Sequence, residues 1–198
     1  MMRAILLSGG IDSSSLAWLL RPEVAYTVDY GHAAAEGEIR AAGAIADAVG
    51  ARHVLIRADC SALGTGDLAG TEPLPLAPVP EWWPFRNQLL VTLAGMRAVG
   101  DGVTELLVAS VRSDSQHMDG TAAFFVAIDS LTALQEGALR VRAPALHMTT
   151  AELVRESRIP PDILAWAHSC HTGPYACGRC RGCNKHREVT AELWGEGY

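Results

Sequence analysis

A strand-length apolar run at residues 3–7 breaks off into Ser8-Gly9-Gly10-Ile11-Asp12-Ser13-Ser14, and a helical pattern with Leu16, Leu19 and Leu20 follows at once. A strand, a glycine-rich turn and a helix in that order place backbone N–H groups and the positive end of a helix dipole at one point, which favours an anion. Two glycines let the backbone approach a phosphate closely, and the hydroxyls of Ser8, Ser13 and Ser14 add donors. The loop lacks the lysine of G-x4-G-K-[ST] and does not follow the G-x-G-x-x-G spacing, so neither of those nucleotide fingerprints applies. On residue chemistry alone, a plain glycine turn with an Asp near a helix start is the competing reading.

The same alternation runs on. Strand patterns fall at 24–30, 53–56, 105–109 and 139–142, and helical patterns at 33–49, 86–99, 121–136 and 149–157, the last capped by Thr149 or Thr150. The expected fold class is therefore α/β, a doubly wound parallel sheet with helices on both faces. Ligands of such sheets sit beyond the carboxyl ends of the strands, so the loops after the first, second and fourth strands should converge on one crevice. Residues 58–85 hold five prolines and several glycines, too long a loop to be plain connection. Within it Trp82-Trp83 reads equally as a mobile aromatic lid or as an anchor packed on the domain, and Asp67, Glu72 and Glu81 form no usable pattern.

Four of the five cysteines lie together as Cys170, Cys177, Cys180 and Cys183, in the pattern C-x6-C-G-x-C-x2-C. Such spacing reads as metal ligation, four thiolates closing a structural Zn2+ site, with an iron–sulfur cluster or free redox thiols as alternatives. His168, His171 and His186 flank the cluster as bystanders. Cys60 stands alone and reads as a small buried side chain. A last helix is expected at 184–193. The division expected is an α/β unit at 1–160 and a zinc-binding tail at 161–198.

With 198 residues, 16 Lys+Arg and 22 Asp+Glu, the formal charge is −6. That balance argues against broad nucleic-acid binding, which rests on cations neutralising phosphates, although 179–187 carries Arg179, Arg181, Lys185 and Arg187. No apolar run approaches the roughly 18 residues of a membrane span. No membrane association and a cytoplasmic location are expected. A homodimer is left open, because a chain of this length buries its own core.

Ser-Gly-Gly-x-Asp-Ser in a strand–loop–helix setting resembles the pyrophosphate loop (PP-loop) of the N-type ATP pyrophosphatases, whose fold is the adenine nucleotide α-hydrolase type. Within them the chain most resembles the 7-cyano-7-deazaguanine synthase family, QueC. The matching features, in order, are Asp29-Tyr30-Gly31, Pro84-Phe85-Arg86-Asn87, Asp114 and Asp119 before Phe124, Glu152-Leu153-Val154, and Ser169-Cys170 opening the cysteine cluster. The resemblance implies an ATP-dependent, AMP-forming carbon–nitrogen ligase of the queuosine pathway. ATP would lie on Ser8, Gly9, Gly10, Ser13 and Ser14, with Asp12 helping to hold Mg2+ and the adenine near Asp29 and Tyr30. A small-molecule 7-deazaguanine carboxylate would meet Arg86, Asn87, Asp114, His117 and Asp119, and Asp12, Arg86 and Asp119 would carry catalysis.

The sequence also departs from that pattern. Gly31-His32-Ala33 stands where the family usually has Gly-Gln-Arg-His. Of the family's Tyr-Pro-Asp-Cys-Arg-Pro-Glu-Phe region only Asp119 and Phe124 remain. Thr150 stands at a usual lysine, and the arginine after the last cysteine falls late at Arg187 or is replaced by Lys185. These losses imply a divergent paralogue that stops at the amide, or delivers the activated acyl group to an amine on a protein or other macromolecule, as in antiphage-defence or modification roles. Two other readings remain. One is tRNA-base thiolation through Cys60; the other is a nucleotide-binding module without catalysis.

Overall fold

Ala4 and Ile5 are neighbours and both fully buried, yet they enter different clusters, because successive side chains of a strand leave on opposite faces. Ile5 and Leu7 meet Leu16, Ala42, Ile45 and Leu153 on one side. Ala4 meets Val24, Tyr26, Val91, Ala98, Phe125 and Ile128 on the other. A strand buried on both faces has to be central. The computed structural model, which describes residues 2–195, places β1 (Arg3–Leu6) there, in a five-stranded sheet of order β3-β2-β1-β4-β5. β1 pairs with β2 (Val24–Asp29) and β4 (Glu105–Leu107), which pair in turn with the edge strands β3 (Arg52–Arg57) and β5 (Arg140–Arg142), and every pairing is parallel. Met1, the start of the expected α/β unit, and 196–198, the end of the expected tail, lie outside the described residues.

Helices cover both faces, as the alternation requires. α1 (Ile11–Leu20), α2 (Ala35–Val49) and a later helix at Thr150–Ser157 supply the first cluster; α3 (Arg86–Asp101) and α4 (Ala122–Ala133) supply the second. The Thr150–Ser157 helix, α5, opens with a capping box. Thr149 Oγ1 accepts from the Glu152 N–H at 3.1 Å, and Glu152 Oε2 accepts from the Thr149 N–H at 2.7 Å. The cap is thus Thr149, and Thr150 is buried as the first helical residue.

Beyond α5 comes α6 (Pro161–Leu164), one turn too short to show a helical period in sequence. α7 (Arg181–Trp194) starts three residues before its expected bound, which makes Arg181 and Cys183 helical. Ile11, Val154, Ile159, Leu164 and Val189 form a third cluster that ties α1, α5, α6 and α7 together. The long 58–85 loop holds one short 3-10 turn at Ser61–Leu63. Its buried Leu68 and Trp83 pack on Val28 and Tyr30. A Cβ on Gly64 would come within 2.5 Å of the Trp83 ring. Trp83 is an anchor of this loop and not a lid.

Candidate functional site

The loop after β1 is shaped from behind. Gly9 has φ +75°, and a Cβ there would lie 2.7 Å from the Ala42 backbone nitrogen, so α2 can seat against the turn only because the residue is glycine. Ser8 Oγ lies 3.1 Å from Ser13 Oγ, and Ser13 Oγ donates to the Gly10 carbonyl at 3.2 Å. Gly10 precedes α1 in extended conformation, and the first backbone bond of the helix runs from the Ser14 N–H to the Gly10 carbonyl. The N–H groups of Ile11, Asp12 and Ser13 therefore have no acceptor within the helix and sit where its dipole is positive.

This loop forms one wall of a crevice of about 830 Å³ at the carboxyl end of the sheet. Tyr30 after β2, and Ser110, Asp114 and His117 after β4, also line it, so the three expected loops do converge. α7 forms a further wall through Arg181, Asn184 and Lys185. Lys185 Nζ lies 2.8 Å from Asp12 Oδ2, joining the first helix to the last. Burial works against the charged ammonium, but Asp12 and Asp114 outweigh it and hold Lys185 above its usual range. Burial pushes the Asp114 carboxyl up, and the nearby Asp12 adds to this while Lys185 opposes it. The other Asp12 oxygen, Oδ1, is buried with no hydrogen-bond partner among the described residues, as is Thr150 Oγ1 on the same crevice. Unpartnered buried polar atoms in a cleft are what a polar ligand would satisfy.

Arg86 begins α3 and lies against the buried Tyr30 hydroxyl, whose pKa is raised by that burial. Tyr30 stacks on His32 at 4.1 Å between ring centroids and meets the edge of Trp83 at 4.9 Å. Burial first, and then Arg86, lower the pKa of His117 and favour its neutral form.

Of the residues singled out from sequence, Ser8, Gly10, Asp12, Ser13, Tyr30, Arg86, Asn87, Asp114 and His117 line the crevice together. Four are placed otherwise. Gly9 shapes the turn from behind, and Ser14 is fully buried beneath it. Asp29 accepts from the Gly31 N–H at 3.1 Å and lies 3.8 Å from Arg57. Asp119 Oδ2 accepts from the Asn87 backbone N–H at 3.0 Å, and the Asp119 carbonyl accepts from Asn87 Nδ2 at 2.8 Å. Asp119 thus satisfies the amino end of α3 and borders a small neighbouring cleft with Glu81, Trp82, Trp83, Arg86 and His117.

Three residues were not among the site residues expected from sequence. Arg181 stood only in a basic run, and Lys185 there and as a replacement for a family arginine, yet their spacing of four in a helix puts both on one face. Glu81 carried no pattern at all, because it is recognised only by its burial.

The four cysteine sulfurs all lie within 4.8 Å of one another, the set among the described residues able to hold a metal ion. Cys177 and Cys183 sulfurs are 3.9 Å apart, and those of Cys170 and Cys180 are 4.0 Å apart. A tetrahedron with metal–sulfur bonds of about 2.3 Å has edges of roughly 3.8 Å, so the cage fits one ion. Cys180 Sγ receives the His171 and Cys183 N–H groups at 3.4 Å each, and Cys177 Sγ receives the Cys180 N–H at 3.4 Å. Burial, with Cys180 beside it, pushes the Cys183 thiol up to about 12. Hydrogen bonds from Thr172 and from the Arg179 and Cys180 backbone hold Cys177 down at about 5. A shared cation would let all four sulfurs, Cys183 included, be held as thiolates. His168 and His186 are engaged elsewhere, with the Gly173 carbonyl and Ser169 Oγ.

The model of the family described as "Queuosine biosynthesis protein QueC" matches residues 3–193. The chain belongs to the QueC family. It is 36% identical over 206 residues to the 7-cyano-7-deazaguanine synthase of Desulforudis audaxviator, covering 91% of this chain and 92% of that one. It is 31% identical over 210 residues to the enzyme of the same name from Erythrobacter litoralis, covering 96% and 87%. Among solved structures, an NMN synthetase from Francisella tularensis shares the fold, with a TM-score of 0.53 at 17% identity over 100% of this chain and 78% of that one. Among the described residues no helix is long and apolar enough to cross a membrane.

Proposed function

We propose that this QueC-family chain is an ATP-dependent synthase that activates the carboxylate of 7-carboxy-7-deazaguanine and joins it to nitrogen. The observation that carries the reading is the α1 loop, with its three unpaired N–H groups and serine hydroxyls, opening on a crevice whose other walls bear Arg86, Arg181 and Lys185. Such an array suits a triphosphate on one side and a carboxylate nucleophile on the other. The names of the relatives supply the substrate class.

In this reading the β- and γ-phosphates rest on the loop, where Ser8, Gly10 and Ser13 line the crevice, while Gly9 shapes the turn and Ser14 supports it from beneath. The substrate carboxylate attacks the α-phosphorus, the bond to the bridging oxygen breaks, and pyrophosphate leaves. Ammonia then attacks the acyl carbon, AMP departs, and a proton is lost to give the amide. A second adenylation, on the amide oxygen, followed by loss of AMP and a proton, gives the nitrile. Arg86 and Lys185 offset the negative charge that builds on phosphorus. Neutral His117 is suited to take the proton that ammonium must lose. Asp12 Oδ1 is a free carboxylate oxygen beside the phosphate site and fits a hard cation such as Mg2+. Zn2+ on Cys170, Cys177, Cys180 and Cys183 would be closed to substrate and would fix α7 in place.

Mass spectrometry after incubation with ATP, magnesium, 7-carboxy-7-deazaguanine and ammonium tests this. Amide or nitrile with AMP and pyrophosphate is the expected result. AMP with a mass gain on a protein would move the acceptor to a macromolecule, and absence of ATP cleavage would overturn the reading.

A further inference from the structure

Glu81 is the most deeply buried acid on the crevice, 6% exposed, and the proposed reaction leaves it without a task. One oxygen, Oε1, lies 3.2 Å from Arg181 Nη1. The other, Oε2, is buried and has no hydrogen-bond partner among the described residues. Leaving a carboxylate oxygen dry and unpaired is costly, so the place is kept for a donor that arrives. Arg181 is itself held, its Nη2 donating to Gln116 Oε1 at 2.9 Å. Trp82 and the buried Trp83 follow directly in the chain, and Trp83 fixes that stretch of loop on Tyr30.

α7 then sets a distance. Arg181 and Lys185 are one turn apart on one face, a rise of roughly 6 Å. Arg181 holds Glu81, and Lys185 holds Asp12 of the phosphate loop. Two carboxylates on the one crevice are thus each paired with a cation of the same α7 face, Asp12 beside the β1–α1 loop and Glu81 beside Trp82 and Trp83.

We propose that Glu81 is a specificity-determining residue, accepting hydrogen bonds from the N–H edge of a guanine-type ring whose opposite side carries the reacting carboxylate. The inference rests on the function proposed above and names the group that reads the base. A guanine edge presents a ring N–H and an exocyclic amine side by side, and a carboxylate accepts from both. A hypoxanthine-type ring lacks the amine. Asp119 is not among the residues lining this crevice, and its Oδ2 caps the amino end of α3 by accepting from the Asn87 N–H.

Isothermal titration in the presence of a non-hydrolysable ATP analogue tests it, with 7-carboxy-7-deazaguanine and its counterpart lacking the exocyclic amine. The unaltered protein should prefer the guanine-type ligand by about 10- to 100-fold, the worth of a hydrogen bond to a charged group. In Glu81→Gln the preference should fall close to unity, with binding of the ATP analogue serving as the check that the variant is folded. Equal affinity of the unaltered protein for the two ligands overturns the proposal without recourse to any variant. A Glu81→Gln protein that keeps the full preference overturns it as well. If the unaltered protein binds neither ligand, the function proposed above fails and takes this inference with it, a result distinct from binding with an unmoved preference.

Discussion

The two ends of this chain meet at one crevice, and they organise their side chains by different means. The loop after β1 is set by packing: Gly9 is wedged against Ala41 and Ala42, Ser14 is sealed beneath, and Ile5, Leu7 and Leu16 fix the flanking strand and helix. Burying each such aliphatic side chain contributes about 1.5–3 kcal/mol, and the turn inherits that rigidity. The 170–183 segment has little of this. Cys170, Cys180 and Cys183 form a cluster with no other buried residue in it, and Tyr175 beside them is 73% exposed. Its geometry comes from converging sulfurs. One end draws its shape from its core; the other would draw rigidity from a cation shared by its sulfurs, and it leads directly into α7 with Arg181 and Lys185.

This contrast can be broken in four places. Asp12→Asn sits where the two ends touch, and it should lower pyrophosphate release at least about 100-fold with the melting temperature nearly unchanged, as measured by a coupled phosphate assay and calorimetry. An equal loss of fold would mean that the Lys185 contact is structural first. Cys180→Ser should release the bound metal, lower Tm by roughly 10 °C or more, and depress turnover through the displaced α7. A variant that keeps its full metal content by atomic absorption would contradict the assignment of the cluster. Gly9→Ala tests the packed end. Positive φ and the Ala42 contact should cost about 2–4 kcal/mol in urea unfolding, with metal content intact.

The smallest effect on activity is expected at the sheet edge far from both ends. Asp129 is held at about 2, below its ordinary 3.8, chiefly by its hydrogen bond from Arg140. A carboxyl lowered in the folded state stabilises above pH 3.8, and that contribution is lost as pH falls toward 2. Asp129→Asn should therefore flatten the acid limb of the stability curve between about pH 4 and 2, while turnover at neutral pH stays as it was. A turnover change there would show that the contrast between the two ends misses a long-range coupling.

What the sequence disclosed follows the same line. The sheet, its helices and the α1 loop are local patterns, written in alternation, helical period and glycine placement, and they are found where expected. The four cysteines are legible for the same reason, since their spacing is itself the geometry. The roles of Glu81 and Asp119 were not legible. Glu81 acquires meaning only by being buried opposite Arg181, and Asp119 by reaching Asn87, 32 residues away. Trp83 could have been a lid or an anchor until Gly64 and Tyr30 were seen against it. Pairings made across the fold leave no periodic trace.

The contact between Asp12 and Lys185 joins positions 173 residues apart. Translation runs from the amino end, so the turn around Gly9 is made well before α7, which carries the counter-ion of Asp12. Until residues 181–185 have cleared the exit tunnel, Asp12 lacks the ammonium it contacts and the crevice lacks the wall that α7 supplies.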